Sequence, residues 1–198
     1  ANGRIARFFT GRGFSRRQLA ILCTAVFLLS LVPLVVIAVY NYPADDDFAF
    51  VLPAATAWTQ THSLPAVVKA IAQKTYETYM NWQGDFISTA LFGMTPMVFN
   101  IRLYFLSNWF MLALLCLSVG YLLKGVVCRY LKADFSTFVV VYTAAMVLVL
   151  QFMPAIGYSV YWHNGGQYTT AACTLMLMLG LLIRCALPQT RARSMVRG

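Results

Sequence analysis

Three consecutive carboxylates, in the stretch "NYPADDDFAF" at residues 41–50, have the type and spacing that most clearly suggest chemistry. Asp45, Asp46 and Asp47 make up half of the six acidic residues in the 198-residue chain. Adjacent like charges repel, so in a partly desolvated cleft one carboxyl group would hold its proton more tightly. Such a group suits a general base that acts on a hydroxyl, or a ligand to a divalent cation. The alternative interpretation is a solvated loop whose aspartates cap a helix that begins near Phe48.

A second stretch, "GYSVYWHNGGQYT" at residues 157–169, mixes aromatic, amide and imidazole side chains. Aromatic rings can cover the apolar face of a sugar while polar groups bond its hydroxyls. An aromatic belt at a membrane interface, with a turn at the paired glycines, would explain Tyr and Trp but not the His-Asn-Gly-Gly insert. We do not expect a metal ligand here, because the only other histidine is His62. We predict a substrate-binding segment that uses Tyr161, Trp162, His163, Asn164, Gln167 and Tyr168.

The composition is that of an integral membrane protein. Apolar residues make up 60% of the chain and charged residues 11%, with a mean hydropathy of +0.68, whereas a globular domain carries about 25% charge. The net charge of +9 is explained by basic segments that flank apolar runs, as cytoplasmic loops do. Nucleic acid is therefore not an expected partner, and membrane lipids are.

Four apolar runs are long enough to cross about 30 Å of hydrocarbon as helices. The sequence therefore predicts an all-α membrane protein with transmembrane helices at 19–40, 103–123, 135–153 and 169–187. The connecting segments are a basic N-terminus (1–18), a long loop (41–102), a short loop (124–134), a second loop (154–168) and a basic tail (188–198).

The basic residues predict the orientation of these helices. With the N-terminus in the cytoplasm, twelve of the fifteen Lys and Arg residues lie inside, as the positive-inside rule requires. Only Lys69, Lys74 and Arg102 then lie outside. We predict a bacterial inner-membrane protein with both termini cytoplasmic and the loops 41–102 and 154–168 on the extracytoplasmic side.

The long extracytoplasmic loop is predicted to be ordered. Residues 63–82 have the pattern of an amphipathic helix, with Ser63 as N-cap and Pro65 in the first turn. This helix lies either in the membrane interface or against the transmembrane helices. The apolar run 86–99 contains Pro96 and is short for a crossing. We predict a re-entrant or interfacial helix there.

The chain resembles a little-characterised branch of the bacterial GT-C superfamily, whose members are multi-pass membrane glycosyltransferases. The resemblance rests on three elements in the family's order. The first is a small residue or acid, Ala44 or Asp45, then Asp46-Asp47 and Phe48-Ala49-Phe50. The second is "YMNWQGD", which supplies Tyr79, Trp82 and Gly84, although Asp85 stands where the family has Arg. The third is "YWHNGGQY", which supplies Tyr161, Trp162, Gly165 and Tyr168.

The resemblance implies transfer of a sugar from a polyprenyl-phosphate donor to a glycan or lipid acceptor of the cell envelope. Carried over by position, Asp46 is the base, and Asp47 and Asp45 are neighbours that tune it or hold a divalent cation. Tyr79, Trp82 and the 161–168 aromatics would line the cleft, with Arg102 or Lys74 near the donor phosphate. Family members have more membrane spans, so a four-span chain resembles only their N-terminal part. We expect either a fragment of a longer protein, with further spans or partner subunits, or a reduced relative that is not catalytic by itself.

Two other functions fit the same sequence. One is a component of a lipid-carrier flippase or transporter, which would carry ionisable side chains along its spans. The predicted spans contain no acidic or basic residue before Arg184. The other is a non-catalytic membrane subunit, in which small residues such as Gly120 and Gly180 would let helices pack closely.

Overall fold

The computed structural model describes residues 14–82, 84 and 86–187. Asp85 and most of both basic termini lie outside this range, so the expectations placed on them stay predictions. Within the described residues the chain is all-helical and has no strand.

Four helices are long and apolar enough to cross a membrane, which confirms that part of the prediction. They are Arg16–Val39, Ile101–Tyr130, Phe135–Phe152 and Gly166–Ala186. The first begins with a capping box, in which the Gln18 backbone N–H donates to the Ser15 hydroxyl and the Ser15 N–H donates to the Gln18 side chain. This helix continues through Pro33 without interruption.

The α-helices are numbered here in chain order. They are α1 (Arg16–Val39), α2 (Asp46–Thr61), α3 (Leu64–Asn81), α4 (Phe86–Gly93), α5 (Tyr104–Lys124), α6 (Phe135–Phe152) and α7 (Gly166–Ala186). Short 3₁₀ turns at Pro96–Val98 and Ile101–Leu103 precede α5, and π-helical turns follow α5 at Gly125–Tyr130 and α6 at Gly157–Tyr161. With 8 residues, α4 is about 12 Å long and too short to cross the hydrocarbon.

The chain divides into two compact units. The terminal unit contains the described parts of Ala1–Leu31, Ser118–Phe152 and Leu175–Gly198, and the motif unit contains those of Val32–Leu117 and Met153–Thr174. In the terminal unit, glycine allows close approach between helices. A Cβ at Gly180 would lie 2.5 Å from Cδ1 of Tyr121, and one at Gly120 would lie 3.1 Å from Cε2 of Tyr142.

The core of the motif unit lies between α2, α3 and the turns that lead into α5. Its buried residues are Val51, Ala54, Val67, Ile71, Met97, Val98 and Tyr104. The amphipathic pattern of residues 63–82 puts Leu64, Val67, Val68, Ile71, Thr75, Tyr79 and Trp82 on one side of α3. Of these, Val67 and Ile71 reach this core, while Leu64, Val68, Tyr79 and Trp82 are exposed. The helix therefore packs on α2 along a narrower line than the sequence pattern predicts.

Candidate functional site

The three aspartates lie in and just before the first turn of α2, but they have different environments. Helix α2 begins at Asp46, earlier than the predicted start near Phe48, and the Asp45 side chain makes no capping hydrogen bond. Asp45 has a φ of 46°, a backbone conformation that is uncommon for residues other than glycine. Asp45 and Asp46 are exposed, whereas Asp47 is completely buried.

The buried carboxylate of Asp47 accepts three hydrogen bonds. The Tyr104 hydroxyl donates to Oδ2 over 2.6 Å, the Asn164 N–H donates to Oδ1 over 3.1 Å, and the Ala44 N–H donates to Oδ2 over 3.3 Å. The bond from Tyr104 has the length of a charge-assisted O–H···O⁻ bond. No Lys or Arg among the described residues forms an ion pair with this carboxylate. Neutral donors therefore offset the cost of burying it.

Tyr104 connects this carboxylate to the segment that follows α6. Its hydroxyl oxygen accepts the His163 N–H over 3.1 Å and lies 3.1 Å from the carbonyl oxygen of Tyr161. A phenol has one proton, which the shorter and charged contact with Asp47 takes. The Tyr161 carbonyl accepts instead from the side-chain amides of Asn108, over 3.3 Å, and Asn41.

Asn164 bonds two of the aspartates at once. Its backbone N–H donates to Asp47, and its side-chain amide donates to Oδ2 of Asp46 over 3.0 Å. The other oxygen of Asp46 receives no hydrogen bond from any residue that the structure describes. The site thus presents one exposed carboxylate, held by an amide, beside a buried carboxylate that anchors the surrounding segments.

A column of rings joins the second sequence element to the third. Trp82 stacks on Phe50 with ring centroids 6.0 Å apart, and Phe50 stacks on Phe92 at 4.7 Å. Phe92 then contacts the imidazole of His163 edge-on at 5.5 Å. The motif elements at 45–50, 79–84 and 161–168 are therefore neighbours in the motif unit.

Burial shifts the pKa values of two side chains in the 161–163 segment. Burial lowers the pKa of His163, and the nearby charge of Asp47 opposes this shift. Burial also raises the pKa of Tyr161, whose hydroxyl donates to the Leu34 carbonyl over 2.8 Å. His163 is therefore a neutral imidazole at neutral pH, and Tyr161 anchors this segment to α1.

Several residues predicted for the site lie at its margins. Tyr168 is 84% exposed and Trp82 is 67% exposed on the side away from its stacking contact. Tyr79 is exposed and contacts Phe86 edge-on at 6.1 Å, and Arg102 is exposed. Trp162 contacts Tyr158, and its indole N–H is buried with no hydrogen-bond partner among the described residues.

Four residues that organise the site were not singled out in the sequence: Asn41, Phe92, Tyr104 and Asn108. Tyr104 and Asn108 carried a usable signal, because polar side chains four residues apart lie on one face of an apolar helix. Asn41 and Phe92 carried none, since their roles depend on contacts with distant segments.

The sequence suggested a divalent cation at the three aspartates. Among the described residues, no group of three His, Cys, Asp or Glu side chains could hold a metal ion. Asp47 already accepts three protein hydrogen bonds. A divalent cation at Asp45, Asp46 and Asp47 stays a prediction.

Comparison with protein-family models, with curated proteins and with solved structures finds no match to this chain.

Proposed function

We propose that this chain is a membrane glycosyltransferase of the GT-C type, or the N-terminal segment of one. It transfers a sugar from a polyprenyl-phosphate donor to a glycan or lipid acceptor of the cell envelope. The observation that carries the proposal is the placement of Asn164, which bonds both Asp46 and Asp47. Two chain segments that the sequence marks independently thus meet at one exposed carboxylate.

In the proposed reaction, Asp46 is the general base. Its free oxygen accepts the proton of an acceptor hydroxyl while that hydroxyl oxygen attacks the anomeric carbon of the sugar. The bond between the anomeric carbon and the phosphate oxygen breaks, and polyprenyl phosphate leaves with the electron pair. Asn164 fixes the carboxylate through its other oxygen, and positioned bases of this kind contribute about 10²–10⁴-fold to rates.

The proposal gives Asp47 a different role from Asp46. A carboxylate that is fully buried and accepts three protein hydrogen bonds has no oxygen directed at a substrate. Asp47 instead holds Tyr104 and Asn164 in place, so it is a positioning residue. Asp45 is exposed and adds negative charge beside the base.

The proposed location is the bacterial inner membrane, with both termini cytoplasmic and the aspartates on the outer side. A donor attached to a long isoprenoid requires an active site at the membrane surface, and α2 follows directly on the first apolar helix. Labelling of a cysteine placed at position 46, in a variant that lacks the native cysteines, tests this orientation. Protection from outside reagents would contradict the proposed topology.

Three carboxylate-to-amide variants test the reaction. Membranes that contain Asp46→Asn should keep normal protein levels and melting temperature but lose sugar transfer at least about a hundredfold. Asp47→Asn should lower both the melting temperature and the transfer rate, because it removes an anchor. Glu77→Gln is the matched control, since Glu77 is exposed and bonds Gln73 within α3. Full transfer by Asp46→Asn would refute the assignment.

A non-catalytic membrane subunit is the second candidate. The long apolar helices are little buried, which supports this candidate. In Gly166–Ala186, 11% of the most apolar 18-residue stretch is buried. Such faces suit contact with further helices as well as with lipid. This candidate predicts that Asp46→Asn leaves sugar transfer in the membrane unchanged and that a larger complex can be purified.

A further inference from the structure

We propose that a cavity beside the aspartate site binds the hydroxyl end of a neutral lipid, and that it excludes lipids that end in a phosphate. The cavity lies in the motif unit and has a volume of about 380 Å³, within the range of small-molecule sites. The side chains that make its walls apolar are Leu91, Met94, Pro96, Leu106, Phe110 and Met111. No charged side chain among the described residues lines it.

Three apolar side chains of the cavity wall are also exposed on the protein surface, which indicates that the ligand enters from the membrane. Leu91, Met94 and Phe110 line the cavity and also expose 43%, 67% and 64% of their surfaces. They belong to, or adjoin, short and long apolar helices, so this exposed surface suits contact with lipid rather than water. A molecule with a hydrocarbon chain can enter across it.

Most polar groups of the cavity wall are already paired. The hydroxyls of Thr95 and Ser107 bond each other over 2.8 Å. The Thr170 hydroxyl donates to the carbonyl oxygen of Gly166 over 3.1 Å. Two buried atoms, Nε2 of His163 and Oε1 of Gln167, have no hydrogen-bond partner among the described residues.

Both atoms belong to residues that line the cavity, so they are the groups that the polar end of a ligand would bond. The side-chain amide of Gln167 donates to the Ser88 carbonyl over 2.8 Å, which fixes its NH₂ group there and leaves Oε1 as a pure acceptor. The ligand must therefore supply a hydrogen-bond donor. Neutral His163 can either donate or accept through Nε2.

A hydroxyl group meets both requirements, because it donates one hydrogen bond and accepts others. A carboxylate or a fully ionised phosphate has no proton to give to Gln167, and any ionised form would be buried without a counterion among the described residues of the cavity wall. An ammonium group would likewise find no counterion among these described residues of the wall. The cavity is therefore matched to a neutral alcohol at the end of an apolar chain.

The binding claim rests on the cavity alone. Its extension, that this hydroxyl is the acceptor of the sugar, rests on the proposed function. The acidic site adjoins the cavity through His163, which lines the cavity and donates its backbone N–H to Tyr104, the partner of Asp47.

Photolabelling of the full chain in phosphatidylcholine nanodiscs tests the binding claim. The probe is a long-chain alcohol that carries a diazirine in its alkyl chain, and the comparison probe is the same chain ending in a phosphate monoester. We expect the alcohol to label peptides of the cavity wall at least about tenfold more than the phosphate, as loss of a buried hydrogen bond implies. Excess hexadecanol should compete for this labelling.

Two variants and a control locate the label. Gln167→Met removes the acceptor and should reduce labelling about tenfold, whereas Gln60→Met, at an exposed position of α2, should not change it. Leu106→Trp fills the cavity without altering Gln167 and should abolish the label while size-exclusion behaviour and helicity stay normal. Equal labelling by the two probes, or labelling that survives Leu106→Trp, would overturn the inference. The absence of any label in the wild-type protein would overturn it as well.

The same experiment separates this inference from the proposed enzyme. Asp46→Asn should keep the alcohol label, because Asp46 does not line the cavity. Label in a wild-type protein that shows no transferase activity would support the binding site and contradict the proposed reaction. Sugar transfer by a protein that takes no label would contradict the binding site alone.

Discussion

The hydroxyl oxygen of Tyr104 lies 2.6 Å from Oδ2 of Asp47, although the two residues are 57 positions apart in the chain. This contact joins the first turn of α2 to the first turn of α5 inside the motif unit. Both side chains are almost completely buried, with Tyr104 1% and Asp47 0% exposed. The bond therefore holds the acidic stretch against the helix that follows the long connection.

Removal of this hydroxyl should destabilise the protein. We expect Tyr104→Phe to lower the free energy of unfolding by about 2 kcal/mol, since the bond is made to a charged and buried group. Thermal unfolding in detergent measures the change. Tyr42→Phe is the control, because Tyr42 is 77% exposed. A double-mutant cycle with Asp47→Asn should show coupling between the two positions, and additive effects would contradict the contact.

Position 165 should accept only glycine. A Cβ there would overlap the carbonyl oxygen of Tyr158 and lie 3.0 Å from Cε3 of Trp162. Because the first of these atoms is backbone, Gly165→Ala should cost about 1–3 kcal/mol, as overpacking does. Gly157→Ala in the same segment is the control, since a Cβ at 157 meets nothing within 4 Å. Equal melting temperatures for the two variants would contradict this close approach.

The ring column should depend on Phe50 and not on its neighbour Phe48. Phe50 is 4% exposed and stacks between Trp82 and Phe92, while Phe48 is 47% exposed. Phe50→Leu should cost about 1–2 kcal/mol through lost stacking and packing, and Phe48→Leu should cost little. Trp82 fluorescence should shift in the first variant only. A shift in both would show that the rings are not arranged as a column.

Stability should fall in mild acid because of His163. Burial holds its pKa below the ordinary value of 6.5, so the unfolded chain takes up a proton while the folded protein stays neutral. Lowering the pH through about 6.5 therefore favours the unfolded state, and the loss is complete only below the lowered pKa of the folded protein.

The variant His163→Gln measures this contribution. Between about pH 7.5 and pH 5.5, the range in which histidine titrates, the melting temperature of the wild type should fall further than that of His163→Gln. The negative charge of Asp47 opposes the shift, so Asp47→Asn should make the fall steeper. Parallel curves for the wild type and His163→Gln would contradict a buried neutral imidazole.

The fold class followed from local properties of the sequence. Runs of apolar residues long enough to cross a membrane as helices are visible without any structure, and four such helices are present. The amphipathic pattern after Ser63 likewise indicated a helix, which runs over Leu64–Asn81. Which of its apolar residues are buried was not predictable, because this depends on the side of the helix against which α2 packs.

The site was only partly contained in the sequence. Residue types marked the aspartates and the 161–168 segment as polar exceptions in an apolar chain. They did not indicate that Asp47 is buried while Asp46 is exposed, since consecutive residues of a helix point in different directions. Only the start of α2 at Asp46 decides which carboxylate faces the interior.

Composition and the lengths of the apolar runs by themselves determined that the chain is helical and has four helices long and apolar enough to cross a membrane. Both properties are sums along the chain and do not depend on contacts with other segments. Tertiary structure alone decided that Tyr104 and Asn108 meet the 161–164 segment, and that Asn164 joins two aspartates. Hydrogen bonds between residues far apart in sequence depend on the packing of whole helices. Local sequence patterns do not predict that packing.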